Sequence, residues 1–171
     1  MGVRLRVVEE ADAEALFSLV WNSPVTANLI WDGPSSLGEY RNALRDFAEK
    51  TADGKLFAFT IEVHGAPAGC LSLHPAADGH KASIGLWIGV PYQGKGHGTA
   101  AIGLAARYAF ENLPIHRLEA MIFTGNTASR RAFEKNAFSL EGTLREAVKK
   151  SGEFRDEWVM SLLRREWRPG R

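Results

Sequence analysis

Near residue 55 the hydrophobic period of this chain changes from that of a helix to that of a strand, and the new period then persists through three segments. Phe57, Phe59, Ile61 and Val63 fall on every second position, and His64-Gly-Ala-Pro67 reads as a hairpin turn. A return strand runs roughly from Ala68 to Leu73, and Ser83 to Val90 forms a third. Three successive strands with short connections make an antiparallel meander, and such a sheet needs helices to cover its apolar face. Helical spacing supplies them on both sides of the meander. Asp12 can cap a helix bearing Leu16, Leu19 and Val20 that ends near Asn22-Ser-Pro24, because proline disfavours helix in the residue before it. Ser35 or Ser36 can cap a second, with Leu37, Tyr40, Leu44 and Phe47 on one face, ending near Asp53-Gly54. Arg4 to Val8 reads as a first strand. After the meander the pattern predicts an alanine-rich helix over Thr99–Asn112, a strand over Leu118–Phe123 and a short helix over Thr127–Asn136. Strand-like sequence follows at Phe138–Leu140 and Glu157–Leu163. The whole predicts a mixed α/β single domain over residues 1–171, without repeats or linkers.

Composition narrows the class. With 21 Lys plus Arg against 20 Asp plus Glu the net charge is +1, which argues against nucleic-acid binding by bulk charge. The balance hides an asymmetry: residues 1–90 carry a net −4 and residues 91–171 a net +5. The single Cys70 excludes a disulfide framework or a multi-cysteine metal site and fits a reducing compartment. No stretch reads as a membrane span or signal peptide, so the expectation is a cytoplasmic protein with no membrane partner and no metal.

Pro91-Tyr-Gln-Gly-Lys-Gly-His-Gly-Thr99 lies between a strand end and a helix start. Alternating glycines let the backbone approach a ligand closely and point several N–H groups at one spot, beside the positive end of a helix dipole. This is a cradle for a pyrophosphate, to which Lys95 can add a point charge. It is neither a P-loop, since no Gly-Lys-Ser/Thr occurs, nor a G-x-G-x-x-G dinucleotide fingerprint.

Gln93-Gly94-Lys95-Gly96-His97-Gly98 resembles the Q/R-x-x-G-x-G/A signature of the Gcn5-related N-acetyltransferase (GNAT) superfamily. Asn126-Thr-Ala-Ser129, Phe133-Glu-Lys-Asn-Ala-Phe138 and Glu141-Gly142 resemble the RimJ/RimL-type branch, which acetylates N-termini of ribosomal proteins. Leu144-Arg145, Gly152, Arg155-Asp156 and, more loosely, Trp31-Asp-Gly-Pro34 extend the resemblance over nearly the whole chain. It implies a single-domain α+β fold, with a mostly antiparallel sheet of about six or seven strands flanked by about four helices. It also implies acetyl-CoA as co-substrate, held by Trp87, Ile88, Gln93, Gly94, Lys95, Gly96, His97, Gly98, Thr99, Asn126 and Ser129. The strand Leu86-Trp87-Ile88 would splay from its neighbour and pair with the pantetheine arm, with the N–H of Ile88 or its neighbour as oxyanion donor.

Transfer to an amine needs a proton donor for the departing thiolate and a neutral amine. Many relatives carry a Tyr where this chain has Phe133, which leaves Ser129 as the candidate donor. The strand Ser83–Val90 holds no carboxylate or His, so candidate bases are Glu62 and Glu146, beside a solvent relay with no dedicated base. An α-amine with a pKa of about 7.7–8.0 is roughly a tenth neutral at pH 7, a lysine amine near 10.4 only about one part in 2,500. A site without a strong base therefore suits an α-amine of a protein, peptide or aminoacyl conjugate. Trp31, Asp32 and Tyr40 are candidate acceptor-binding residues, Trp31 as a flat wall and Asp32 as an anion for an ammonium group. His74 and His80 read as ordinary exposed histidines. A small-molecule amine acetyltransferase, for a polyamine or aminoglycoside, and a catalytically weak CoA-binding module are the alternatives. The family resemblance admits a homodimer.

Overall fold

The computed structural model describes residues 2–169. Eleven elements follow in chain order: β1 (Val3–Val7), α1 (Ala13–Val20), α2 (Leu37–Ala52), β2 (Phe57–Val63), β3 (Ala66–Pro75), β4 (Lys81–Ile88), α3 (His97–Asn112), β5 (Arg117–Phe123), α4 (Thr127–Glu134), β6 (Ser139–Lys150) and β7 (Glu153–Leu163). The strands form one sheet in the order β1-β2-β3-β4-β5-β7-β6, antiparallel at every pairing except β4 with β5.

Alternation along the strands gives the sheet two apolar faces, each covered by a helix pair. On one, Ala101, Ile102, Ala105, Ala106, Ala109 and Phe110 of α3 pack with Phe133 of α4 onto Phe59, Ile61, Leu71, Leu73, Leu118, Met160 and Leu162. Alanine at the contact positions of α3 lets its backbone lie close to the sheet. On the other face, Leu16 and Val20 of α1 and Tyr40 and Leu44 of α2 pack with Val8, Leu56 and Ala58. The helix starts follow their capping chemistry: the Ser36 hydroxyl accepts from the Glu39 N–H at 3.1 Å, and the Asn126 side chain accepts from the Ser129 N–H at 3.2 Å.

The pairing of β4 with β5 positions the site. It lasts only three rungs, Lys81↔Arg117, Ala82↔Leu118 and Ser83↔Glu119. Beyond them β4 stays with β3 up to Ile88, and β5 stays with β7 up to Phe123. The two central strands diverge and leave unpaired edges facing each other across a wedge. Gly69 permits the last rungs of β3 with β4: a Cβ there would lie 2.1 Å from the Trp87 carbonyl oxygen.

The boundaries depart from the sequence reading most clearly at β6, β7, α4 and α3. β6 and β7 are a 12- and an 11-residue strand, not two short ones. Their outer halves are charged and exposed, and the register shifts between Leu144 and Val148, so no period of two survives to be read. α4 stops at Glu134 because Ala137 takes a left-handed conformation (φ 64°) just beyond it. α3 begins at His97, so Gly98 lies in its first turn rather than in the loop.

Candidate active site

Ordinary helix geometry leaves the first N–H groups of α3 without partners. The first backbone bond into that helix runs from the Ala100 N–H to the Gly96 carbonyl at 3.0 Å. Among the described residues, the N–H groups of residues 94–99 donate to no acceptor. Gly96, the residue before the helix, adopts φ 82°, a conformation that an L-side chain resists. The remaining side chains of the loop brace it: Gln93 donates to the Ile88 carbonyl at 2.8 Å, Lys95 to the Pro91 carbonyl at 2.8 Å, and His97 Nδ1 to the Tyr92 carbonyl at 3.0 Å. Lys95 is thus folded back along its own loop.

Across the wedge stands α4. Asn126 caps it, and the half-buried Ser129, one turn in, has a hydroxyl with no hydrogen bond among the described residues. Asn136, just past α4, donates to the Thr99 carbonyl and the Ala132 carbonyl, both at 2.9 Å, and so fixes α4 against the first turn of α3. Phe133 is buried in the core, edge-on to Phe138 with ring centres 5.0 Å apart.

On the α1/α2 side the wedge opens into a cleft of about 580 Å³. Its walls include Trp87 and Gly85 of β4, Cys70, Ser72 and His74 of β3, Met121 and Phe123 of β5, and Glu157 of β7. Trp31 and Tyr40 roof it, stacked with ring centres 6.1 Å apart and planes 18° apart. The Tyr40 hydroxyl lies 3.7 Å from Cys70 Sγ. Burial raises the pKa of Tyr40 and pushes the Cys70 thiol up to about 12, so neither ionises near neutrality.

The expected acceptor and base residues separate into two groups. Trp31 and Tyr40 line the cleft. Asp32 does not present a free anion: the Lys150 ammonium, from the far end of β6, pairs with its carboxylate and also donates to the Trp31 carbonyl at 3.0 Å. Glu62 does not line the cleft. Its carboxylate bridges Arg4 and Arg6 across β1 and β2, and those two guanidinium groups hold its pKa below the usual range, which suits a structural ion pair and not a base. Glu146 is exposed on the β6 bulge at φ 50°, where its N–H donates to the Asp156 carboxylate at 2.8 Å. His74 is exposed, as the sequence reading has it, and also lies on the cleft wall, where desolvation lowers its pKa and its Nε2 is 2.8 Å from the Ser72 hydroxyl.

Two residues that the sequence reading missed belong to this site. Lys150 gave no signal, since its partners lie more than a hundred positions away. Glu157 carried a faint one, as a carboxylate opening an otherwise apolar strand segment.

Known proteins share this fold. The family model for the acetyltransferase (GNAT) domain matches residues 3–139. YdaF of Bacillus subtilis (strain 168), named as a ribosomal N-acetyltransferase, is 32% identical over 170 residues, covering 96% of this chain and 93% of its own. A crystal structure described as an acetyltransferase superposes with a TM-score of 0.89 at 32% identity, covering 97% and 95% of the two chains. RimL, a ribosomal L7/L12 alpha-N-protein acetyltransferase solved with coenzyme A, shares the fold at a TM-score of 0.85 and 24% identity, over 95% and 94%. The family match spans most of the chain; this chain belongs to the GNAT family and is an N-acetyltransferase.

Proposed function

We propose that the chain transfers the acetyl group of acetyl-CoA to the α-amine of a protein, peptide or aminoacyl conjugate. One observation carries the co-substrate: the row of unpartnered N–H groups at residues 94–99, at the positive end of α3 and beside the open edge of β4. Those groups suit a pyrophosphate, and the free edge of β4 suits the amide groups of a pantetheine arm. Acetyl-CoA supplies an activated acyl group as a thioester.

The chain's residues then do the rest. Gly94 to Thr99 hold the phosphates, with Gln93, Lys95 and His97 bracing the loop that carries them. The backbone of Trp87 and Ile88 aligns the thioester, and the N–H of Ile88 or its neighbour faces its carbonyl oxygen. Asn126 and Ser129 stand on the opposite wall. The Ser129 hydroxyl, free of any other partner, gives a proton to the departing sulfur. Trp31 and Tyr40 wall the acceptor side. Such a reaction and the reduced Cys70 thiol agree with a cytoplasmic site of action.

The test is acetyl transfer to a peptide with a free N-terminus, set against a peptide blocked at its N-terminus and offering a lysine. Faster transfer to the free α-amine is expected at pH 7. Preference for the lysine side chain overturns the acceptor assignment, and acetyl-CoA binding with no turnover on either overturns the enzyme reading.

A further inference from the structure

Among the described residues, the buried carboxylates are paired with hydrogen-bond donors, with one exception. Asp12 accepts from Arg6 at 2.6 Å, from the Thr60 hydroxyl at 2.7 Å and from the Glu9 N–H at 3.0 Å. Glu62 takes both Arg4 and Arg6. Glu157 is 5% exposed, yet its carboxylate makes no hydrogen bond or ion pair with any described residue. No sealed side-chain oxygen lacks a partner among those residues, so the carboxylate oxygens of Glu157 keep some exposure, and the residue lines the cleft. Desolvation raises its pKa. A buried, unpaired charge opposes folding, and it is retained where a ligand supplies the counter-charge.

Register places this carboxylate at the reacting end of the wedge. Glu157 pairs with Phe123, the last residue of β5, and Thr124 donates to the neighbouring Asp156 carbonyl at 3.0 Å. The chain then turns through Gly125 into Asn126 and α4, which carries Ser129. The other titratable groups on the cleft are engaged: Glu39 of α2 with the Ser35 N–H and hydroxyl, His74 of β3 with Ser72, Tyr40 of α2 with Cys70 of β3. The rest of the lining is largely apolar, including Leu29, Trp31, Phe47, Met121 and Phe123.

We propose that Glu157 seats the acceptor amine and takes its proton, and that the acceptor is a single cationic amine on an apolar body rather than a polyamine. This rests on the acetyl-transfer reading above. The ammonium form of the acceptor pairs with Glu157 and loses a proton to it. The freed lone pair forms the C–N bond at the thioester carbonyl carbon, and the C–S bond breaks with its electron pair on sulfur. The second proton leaving nitrogen replaces the one that Ser129 gives to sulfur. Glu157 returns its proton to solvent, and the products are an amide, the CoA thiol and one proton. A polyamine would leave its second ammonium against largely aromatic and aliphatic walls, where the other carboxylate, Glu39, is already taken by the Ser35 N–H and hydroxyl.

The test compares the full-length protein with its Glu157→Gln and His74→Gln variants, using a peptide acceptor with an apolar first residue, spermidine as the polycation, and calorimetric acetyl-CoA binding. For Glu157→Gln the expectation is a loss of kcat/KM of about 100-fold or more at pH 7, with acetyl-CoA affinity kept and thermal stability raised. The acid limb of the pH profile should vanish in this variant, and raising the pH until the amine deprotonates itself should recover part of the rate. The wild type should prefer the apolar peptide to spermidine. Activity within about threefold of wild type and an unchanged profile would overturn the assignment, as would loss of acetyl-CoA binding or of stability, which marks a structural carboxylate. An acid limb that disappears in His74→Gln instead moves the base to β3. Failure of the wild type to acetylate any amine is a different result, and it overturns the acetyl-transfer reading itself.

Discussion

Replacing Lys150 with methionine keeps the aliphatic stem and removes an ammonium group that ties the β6–β7 hairpin to the loop before α2. That ammonium is nearly buried, at 9% side-chain exposure, whereas its partner Asp32 is 80% exposed. The ion pair therefore sits at the solvent boundary and contributes about 0.2–1 kcal/mol. The bonds to backbone carbonyls matter more. The Trp31 carbonyl accepts at 3.0 Å and the Ile30 carbonyl more weakly at 3.5 Å, and a bond to a charged donor is worth about 1.5–3 kcal/mol. The sum is about 2–4 kcal/mol, or a fall in Tm of about 4–16 °C for a chain of this size. Asp32→Asn should cost under about 1 kcal/mol. Because Trp31 roofs the cleft against Tyr40, Lys150→Met should also raise KM for the acceptor while leaving acetyl-CoA binding unchanged, since the hydrogen-bond partners of Lys150 are Ile30, Trp31 and Asp32 and not the loop at residues 94–99. Thermal denaturation and steady-state kinetics read both effects. Equal destabilisation by Asp32→Asn and Lys150→Met, or an unchanged acceptor KM, would show that the bonds from Lys150 to the backbone do not hold the roof of the cleft.

Two further outcomes follow from the geometry. Gly96→Ala forces a side chain into φ 82°, costing about 1 kcal/mol, and should weaken acetyl-CoA roughly fivefold to tenfold by distorting the N–H row; unchanged affinity by calorimetry would show that the row does not hold the phosphates. Arg117 and the Ser161 hydroxyl lower Glu141 to about 2, below its unfolded value, so its stabilisation is fully present above the ordinary carboxylate pKa and is lost as pH falls towards 2. Urea unfolding at pH 5 and at pH 2.5 should show a smaller acid loss in Glu141→Gln than in the wild type, and equal losses would refute the linkage.

How much was legible depended on the range of the interaction. Helix caps at Ser36 and Asn126, the two-residue period of β2 to β4 and the glycine loop are written in residues a few positions apart, so a local reading recovers them. The β6–β7 hairpin was largely illegible, because an exposed two-stranded ribbon with a bulge needs no apolar alternation. Asp32 read as a free anion from its neighbours alone, and only folding brought Lys150 to it. Glu62 failed as a base for the same reason, its partners lying on a strand that pairs with its own.

By itself the sequence determined the element order, the covered sheet and the glycine loop before α3, along with the family these imply. Each rests on backbone preference or on side-chain spacing, which act along the chain. Tertiary structure decided where the charges lie. Whether a carboxylate is a base, an ion-pair partner or a surface group depends on what burial and packing place beside it. Asp12, Glu62, Glu141 and Glu157 are alike as letters, and they differ because three of them fold against cations and one folds against an open cleft.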